Sequence, residues 1–191
     1  MSKRQIFHVK GIPGAGKSYL LKKLPKGVAG LDTDDFWTSA WRRLARTGKQ
    51  VNDRKVRALA LRMMKQEIMR HNVVVVVGVT LPVKRATKTY FIQQSVADLK
   101  QAYKRVVARE VSKYKLLQKK ATLARLLKMT PESMIQHLRH EYHIGAVDIL
   151  AGEKSYIRMY RQAYTFEKRN GLRMLSQKKI VRDIKNSIRQ T

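Results

Sequence analysis

Gly11-Ile12-Pro13-Gly14-Ala15-Gly16-Lys17-Ser18 carries the most specific chemistry in this chain. It fits G-x-x-x-x-G-K-[ST] without a mismatch, the pattern of a loop that wraps phosphate. Each residue type has a reason. Glycines let backbone N–H groups turn toward phosphate oxygens where a side chain would block approach. The loop opens onto a helix N-terminus, which favours negative charge. Lys17 reaches the β- and γ-phosphates, and the Ser18 hydroxyl is a hard oxygen ligand suited to Mg²⁺. Pro13, Ala15 and Tyr19 complete the expected contact set on the loop and first helical turn. The cofactors implied are ATP and Mg²⁺.

A second group stands in "LDTDDF", where Asp32, Asp34 and Asp35 crowd together in a chain poor in acids. Alternation places Asp32 and Asp34 on one side while the chain stays extended. At the C-terminal end of a strand they face the ligand crevice of an open α/β sheet. Asp34 could accept a proton from an attacking hydroxyl. Asp32 could hold Mg²⁺ through water or touch the acceptor. Asp35 is expected to cap a helix from Phe36 onward. The bland alternative is that all three are caps and surface acids.

The elements that must position these groups alternate between strand and helix. Gln5 to Lys10 reads as a strand, and Ser18 to Leu24 as a helix stopped by Pro25 and Gly27. Val28 to Leu31 is a second strand, and Trp37 to Arg46 a helix. Asn52 or Asp53 caps the next helix, whose Val56, Leu59, Ala60, Met63, Met64 and Ile68 form an apolar stripe. "VVVVVGV", without polar alternation, reads as a strand buried on both faces of a parallel sheet. "YFIQQSV" is a fourth strand, followed by a helix capped near Asp98. Residues 112 to 127 are basic and helical in pattern, Thr130 starts another helix, and Tyr156 to Tyr164 is helical. "GLRML" is the last strand and Gln177 to Arg189 the last helix. The predicted fold is α/β: an open parallel sheet flanked by helices, one domain over residues 1–191, with a helical insertion about 112–160.

The charge raises the question of a second partner. Lys and Arg total 42 against 13 acids, a formal net charge of +29 on 191 residues. One bound nucleotide needs only a few cations, so a larger polyanion is expected, nucleic acid before an anionic membrane. Solubility alone is the bland reading. The absence of cysteine excludes disulfides and thiolate metal sites and fits a reducing compartment. The N-terminal residues do not read as a signal peptide, and the longest apolar run is too short to span a bilayer. The expected location is intracellular, cytoplasmic or nucleic-acid-associated, or a virion interior if the chain is viral.

These motifs resemble P-loop kinases of the polynucleotide kinase and zeta-toxin type, within the nucleoside and nucleotide kinase group, over roughly the first 140 residues. "GIPGAGKS" matches their phosphate loop and "LDTDDF" their acidic motif, which implies that Asp34 is the general base. "VVVVVGVTLPVKRA" is similar to their third strand and following loop, which implies Thr80 and Arg85 near the acceptor. "FIQQSVADLKQAYKRVVARE" is similar to the strand and helix leading into their lid, which implies that Arg105 and Arg109 clamp nucleotide phosphates. "TPESMIQHL" is similar to the helix start after that lid. There are departures. The region shortly after the acidic motif, where these kinases tend to carry an arginine for the acceptor phosphate, holds Trp37, with Arg42 and Arg43 further on, and the strand ending at Gly78 lacks an acid often found there.

Other features have mostly structural readings. Tyr156, Tyr160 and Tyr164 recur at four-residue spacing, as core or as a base-stacking stripe. His137, His140 and His143 do not share one helix face, against a metal site. "KRVVAREVSKYKLLQKKATLARLLK" and "KKIVRDIKNSIR" are solvated faces or phosphate-contacting surfaces. Three functions are compatible with all this: an ATP-dependent phosphotransferase acting on a nucleic-acid or nucleoside hydroxyl, a nucleic-acid-packaging protein on a kinase fold, and an ATPase motor. The missing acid at Gly78 counts against the last.

Overall fold

The β-branched stretches pair into one sheet in a computed structural model that describes residues 4–47, 51–106 and 152–189. The strands are β1 (Gln5–Lys10), β2 (Ala29–Asp32), β3 (Val73–Val77), β4 (Lys88–Ile92) and β5 (Arg173–Leu175). All pairings are parallel and the order is β2-β3-β1-β4-β5. The helices are α1 (Lys17–Leu21), α2 (Thr33–Ala45), α3 (Asp53–Met69), α4 (Glu153–Arg169) and α5 (Gln177–Arg189), with a further helical segment at 96–106. The α/β class and the all-parallel sheet agree with the alternation in the sequence.

Why this sheet is parallel can be read from its centre. Val74, Val75, Val76 and Val77 are all fully buried, so both faces of β3 are covered, as a strand without polar alternation requires. Val56, Ala60, Met64 and Ile68 of α3 cover one face together with Ala40 of α2 and Leu81. That is the helical stripe of the sequence; Leu59 and Met63 flank it, half-buried. The opposite face meets α5, where the Asp183 carboxylate accepts from Tyr90 Oη at 2.7 Å and from Lys88 Nζ at 3.4 Å.

Register fixes where a ligand can sit. Val9 is level with Val77 and Tyr90, and Asp32 is level with Val77. The loop after β1, the acids after β2 and Gly78 after β3 therefore share the C-terminal end of the sheet. β1 lies between β3 and β4, with β2 beyond β3 on one side and β5 beyond β4 on the other. This is the switch point where open α/β sheets form their crevice.

The chain divides into two compact units, Met1–Gln93 with Phe166–Thr191, and Gln94–Thr165. The first holds the sheet. In the second, Ser95 and Asp98 form a reciprocal capping box: Ser95 N donates to Asp98 Oδ2 at 3.1 Å, and Asp98 N to Ser95 Oγ at 3.1 Å. Ser95 is thus the cap, three residues before the expected one. Tyr156 and Tyr160 are buried, the Tyr103 and Tyr156 rings lie 5.7 Å apart, and Tyr160 Oη accepts from Gln94 N at 2.9 Å. The first two tyrosines of the stripe are core. The helical insertion about 112–160 and the three histidines fall almost wholly outside the described residues.

Several element ends differ from the sequence reading. α1 stops at Leu21 rather than Leu24, because Pro25 forces the chain into a turn closed by Val28 N on Pro25 O. β3 ends at Val77, since Gly78 takes a φ of +116° that no strand residue adopts. β4 begins at Lys88, and residues 78–87 cross from one end of the sheet to the other without a helix.

Candidate functional site

The phosphate loop turns on two glycines. Gly14 and Gly16 have φ of 78° and 84°, in the left-handed region where a Cβ is costly, and Gly16 is the N-cap of α1. A turn from Ala15 N to Ile12 O at 3.2 Å closes the loop. Lys17 Nζ donates to Gly11 O at 2.7 Å and to Ile12 O at 3.0 Å, so the ammonium lies over its own loop. Ser18 and Tyr19 are exposed on the first turn of α1, and Lys23 Nζ stands 5.3 Å over the Tyr19 ring. One further contact was not legible in the sequence. Gln177, the first residue of α5, donates from Nε2 to Ala15 O, and a Cβ on Gly16 would collide with its amide. The last helix thus buttresses the loop at a sequence distance that no local pattern reveals.

The acids are arranged differently from the extended-chain reading. The helix starts at Thr33, not after Asp35, and Asp32 is its cap, with φ −106° and ψ 127°. Asp32 Oδ1 accepts from Asp34 N at 3.0 Å. Burial pushes the Asp32 carboxyl above its usual range; the Asp34 N–H opposes this, the Asp34 and Asp35 charges add to it, and Lys17 offsets part of it. Lys17 and Asp32 therefore feel each other's charge. β2 and β1 are separated by one strand, which sets their axes about 10 Å apart. Asp34 falls in the first helical turn, exposed, and Thr80 Oγ1 donates to its Oδ1. The structure thus brings together two residues that sequence reasoning assigned to the acceptor separately.

Behind this pair lies a packed support. Thr33 is fully buried, and a Cβ on Gly78 would collide with its hydroxyl. This accounts for the missing acid at the end of β3: there is no space for a side chain. His8, buried on β1, donates from Nε2 to Gly78 O at 2.9 Å, which fixes the start of the 78–87 segment. Burial lowers the His8 pKa, and the Gly78 hydrogen bond works the other way. A single carbonyl acceptor at this nitrogen suits the neutral Nε2–H tautomer. Two residues along, Lys10 Nζ donates to both carboxylate oxygens of Glu167, at 2.9 and 3.0 Å.

Thr80 also lines a cleft of about 620 Å³ with Trp37 of α2 and Asp53, Arg54, Arg57, Ala58 and Leu61 of α3. Trp37 is half-buried against the α2–α3 core. Arg54 and Arg57 had no role in the sequence reading, because nothing local marks them apart from the other surface cations.

Arg85 is not brought to this end. Two residues after it, Thr87 N donates to Ile6 O at 2.6 Å, and Thr87 Oγ1 accepts from Ile6 N at 3.0 Å. Ile6 lies near the start of β1, about 16 Å of strand from Gly11, more than an arginine side chain spans. The residue is exposed at φ 59° in a turn on the far side of the sheet. Arg105 is an exposed residue of the helical segment 96–106 in the second unit, and Arg109 lies outside the described residues.

Ser18 and Asp32 can be tested as metal ligands by their chemistry. A hydroxyl and a carboxylate are hard oxygen donors and suit Mg²⁺, which takes its remaining positions from water and phosphate. Asp32 Oδ1 is committed to the Asp34 N–H, so a metal role falls to its other oxygen. Among the described residues no cluster of three or more acidic or histidine side chains forms a metal cage by itself.

A phosphate loop at the switch point of a five-stranded parallel sheet decides the coarse class. The sheet fits a P-loop, nucleotide-binding type of fold. No family model matches the chain, and no curated protein matches it significantly. Among solved structures, TT1252 from Thermus thermophilus is similar over 71% of this chain and 85% of its own, at 18% identity and a TM-score of 0.42. That likeness is too weak to bear on function. No helix among the described residues is long and apolar enough to cross a membrane.

Proposed function

We propose that the protein is an ATP-dependent phosphotransferase whose acceptor is a hydroxyl on a nucleic acid or nucleoside, with a 5′-hydroxyl favoured. The observation that carries this reading is the Thr80–Asp34 hydrogen bond at the same end of the sheet as the phosphate loop. An exposed carboxylate oriented by a hydroxyl, beside a phosphate cradle, is the geometry of a general base for phosphoryl transfer.

In the step proposed, the acceptor oxygen attacks the γ-phosphorus and its proton passes to Asp34. The bond from the γ-phosphorus to the bridging oxygen breaks, and ADP leaves with that electron pair. Lys17 exchanges the Gly11 and Ile12 carbonyls for phosphate oxygens as charge develops on them. Ser18 and Asp32 would hold Mg²⁺, which when bound would supply neutralisation of phosphate charge. Arg105 and Arg109 are proposed as the further cations on the donor, as the kinase resemblance implies.

Charge favours nucleic acid over a small acceptor. On α5, Lys178, Lys179, Arg182, Lys185 and Arg189 are all exposed, and the one acid of that helix, Asp183, is already engaged by Lys88, Tyr90 and Arg173. Such a strip binds phosphate backbones without reading sequence. It also favours the second reading, a packaging protein whose basic surface is the function and whose pocket is inherited.

The test uses γ-labelled ATP, Mg²⁺ and three acceptors: a 5′-hydroxyl oligonucleotide, mixed nucleosides and mixed nucleoside monophosphates. Label on the oligonucleotide is expected. Label on a small acceptor instead moves the protein to nucleotide metabolism. No label on any acceptor, with ATP and DNA both bound, overturns the kinase reading in favour of packaging.

A further inference from the structure

The cleft lined by Thr80, the partner of Asp34, also presents Trp37, Arg54 and Arg57. We propose that it receives the terminal nucleotide of a single-stranded nucleic acid, the base stacked on Trp37 and the first phosphodiester held by Arg54 and Arg57. This rests on Asp34 acting as the base and supplies what that reading lacks, a place for the acceptor.

Position is the first argument. Thr80 hydrogen-bonds Asp34 and also lines the cleft, so a ligand in the cleft lies beside the carboxylate. Chemistry is the second. Arg54, Arg57, Ala58 and Leu61 share one face of α3 by their three- and four-residue spacing, which sets two guanidinium groups next to apolar surface. Guanidinium pairs bind phosphate, and the Trp37 indole, packed against the core, is a firm platform for a base. The cleft is open to solvent, and its volume of about 620 Å³ lies within the range of small-ligand sites. Asp53, the one acid in the lining, stands in the first turn of α3 and offers an acceptor to a base or sugar donor.

Two features favour a polynucleotide end over a free nucleoside. A nucleoside has no phosphate to engage two arginines. The exposed Arg42, Arg43 and Arg46 at the end of α2, and Lys55 and Arg62 on α3, supply cations for a longer backbone.

The experiment exploits the presence of only two tryptophans. In a Trp41→Phe background, Trp37 is the sole indole. A 5′-hydroxyl oligothymidylate, titrated without ATP, is expected to quench its fluorescence. Arg54→Ala with Arg57→Ala is expected to weaken that binding about tenfold or more, and to lower its salt slope by about 0.7 for each arginine that meets a phosphate. Both arginines are exposed, so the fold should survive, checked by circular dichroism. Unchanged fluorescence on saturation, or unchanged affinity and salt slope in the double variant, overturns the proposal. Label transfer to the oligonucleotide alongside that result leaves the kinase reading intact. Quenching and arginine dependence without label transfer mean the reverse: the cleft binds as proposed and the kinase reading fails.

Discussion

At the residue scale, Asp32 and Asp34 stand two positions apart with different duties. Asp32 is buried enough to hold its proton more tightly than usual, and it also caps α2. Its folded pKa lies above its unfolded value of 3.8, so the folded state binds more protons across that window. This contribution to stability therefore falls as pH rises from about the unfolded value through the folded one. Replacing Asp32 with Asn keeps a capping oxygen and removes the charge penalty. Asp32→Asn should match or exceed the wild-type melting temperature at neutral pH, whereas Asp32→Ala should lose about 1 kcal/mol with the cap. Thermal denaturation of the two variants decides it; equal losses would remove the capping role. The phosphate loop was readable because its spacing is local. The cap was not. Three acids in four positions are all good caps, and only the packing of Thr33 into the core sets where the helix begins.

At the element scale, the segment after β3 is held by His8, Thr33 and the conformation of Gly78. A methyl at Gly78 would both collide with the buried Thr33 hydroxyl and strain a φ of +116°. Gly78→Ala should cost about 3 kcal/mol or more in chemical denaturation; a loss below about 1 kcal/mol would mean that the segment shifts freely. His8 adds a pH dependence. Its pKa is depressed in the folded state, so unfolded chains take up the proton first as pH falls below 6.5. The stability it contributes is present above 6.5 and declines below it. Denaturant midpoints from pH 8 to 5 should show a decline that flattens in His8→Leu. A strand, a glycine and a distant threonine acting together leave no sequence pattern. The strand itself was legible, because five consecutive valines bury both faces; its support was not. The misplaced Arg85 has the same origin, since local reading cannot show that residues 78–87 run the length of the sheet.

At the scale of the whole molecule, the acids are few and mostly committed. Among the described residues, Glu67, Asp98, Glu153, Glu167 and Asp183 are tied into caps or ion pairs. Among the described residues, the cations of α5 and the exposed cations of α2 and α3 therefore far outnumber the acids left to pair with them. DNA binding should be strong at low salt and decline steeply with added salt, with little preference for sequence. Filter binding from 50 to 300 mM salt checks this, and a flat profile would argue that the charge serves solubility. The surplus was visible in composition and the basic run of α5 in the sequence, but the grouping of cations around the α2–α3 cleft required the fold.

The most direct test of the central claim is the single-turnover rate of label transfer from γ-labelled ATP to a 5′-hydroxyl oligonucleotide, in wild type and Asp34→Asn. If Asp34 takes the acceptor proton, the variant should bind both substrates with unchanged affinity and transfer about 10²–10⁴-fold more slowly. Equal, measurable rates in the two proteins would contradict Asp34 as the general base, and no transfer by the wild type would contradict the phosphotransferase reading.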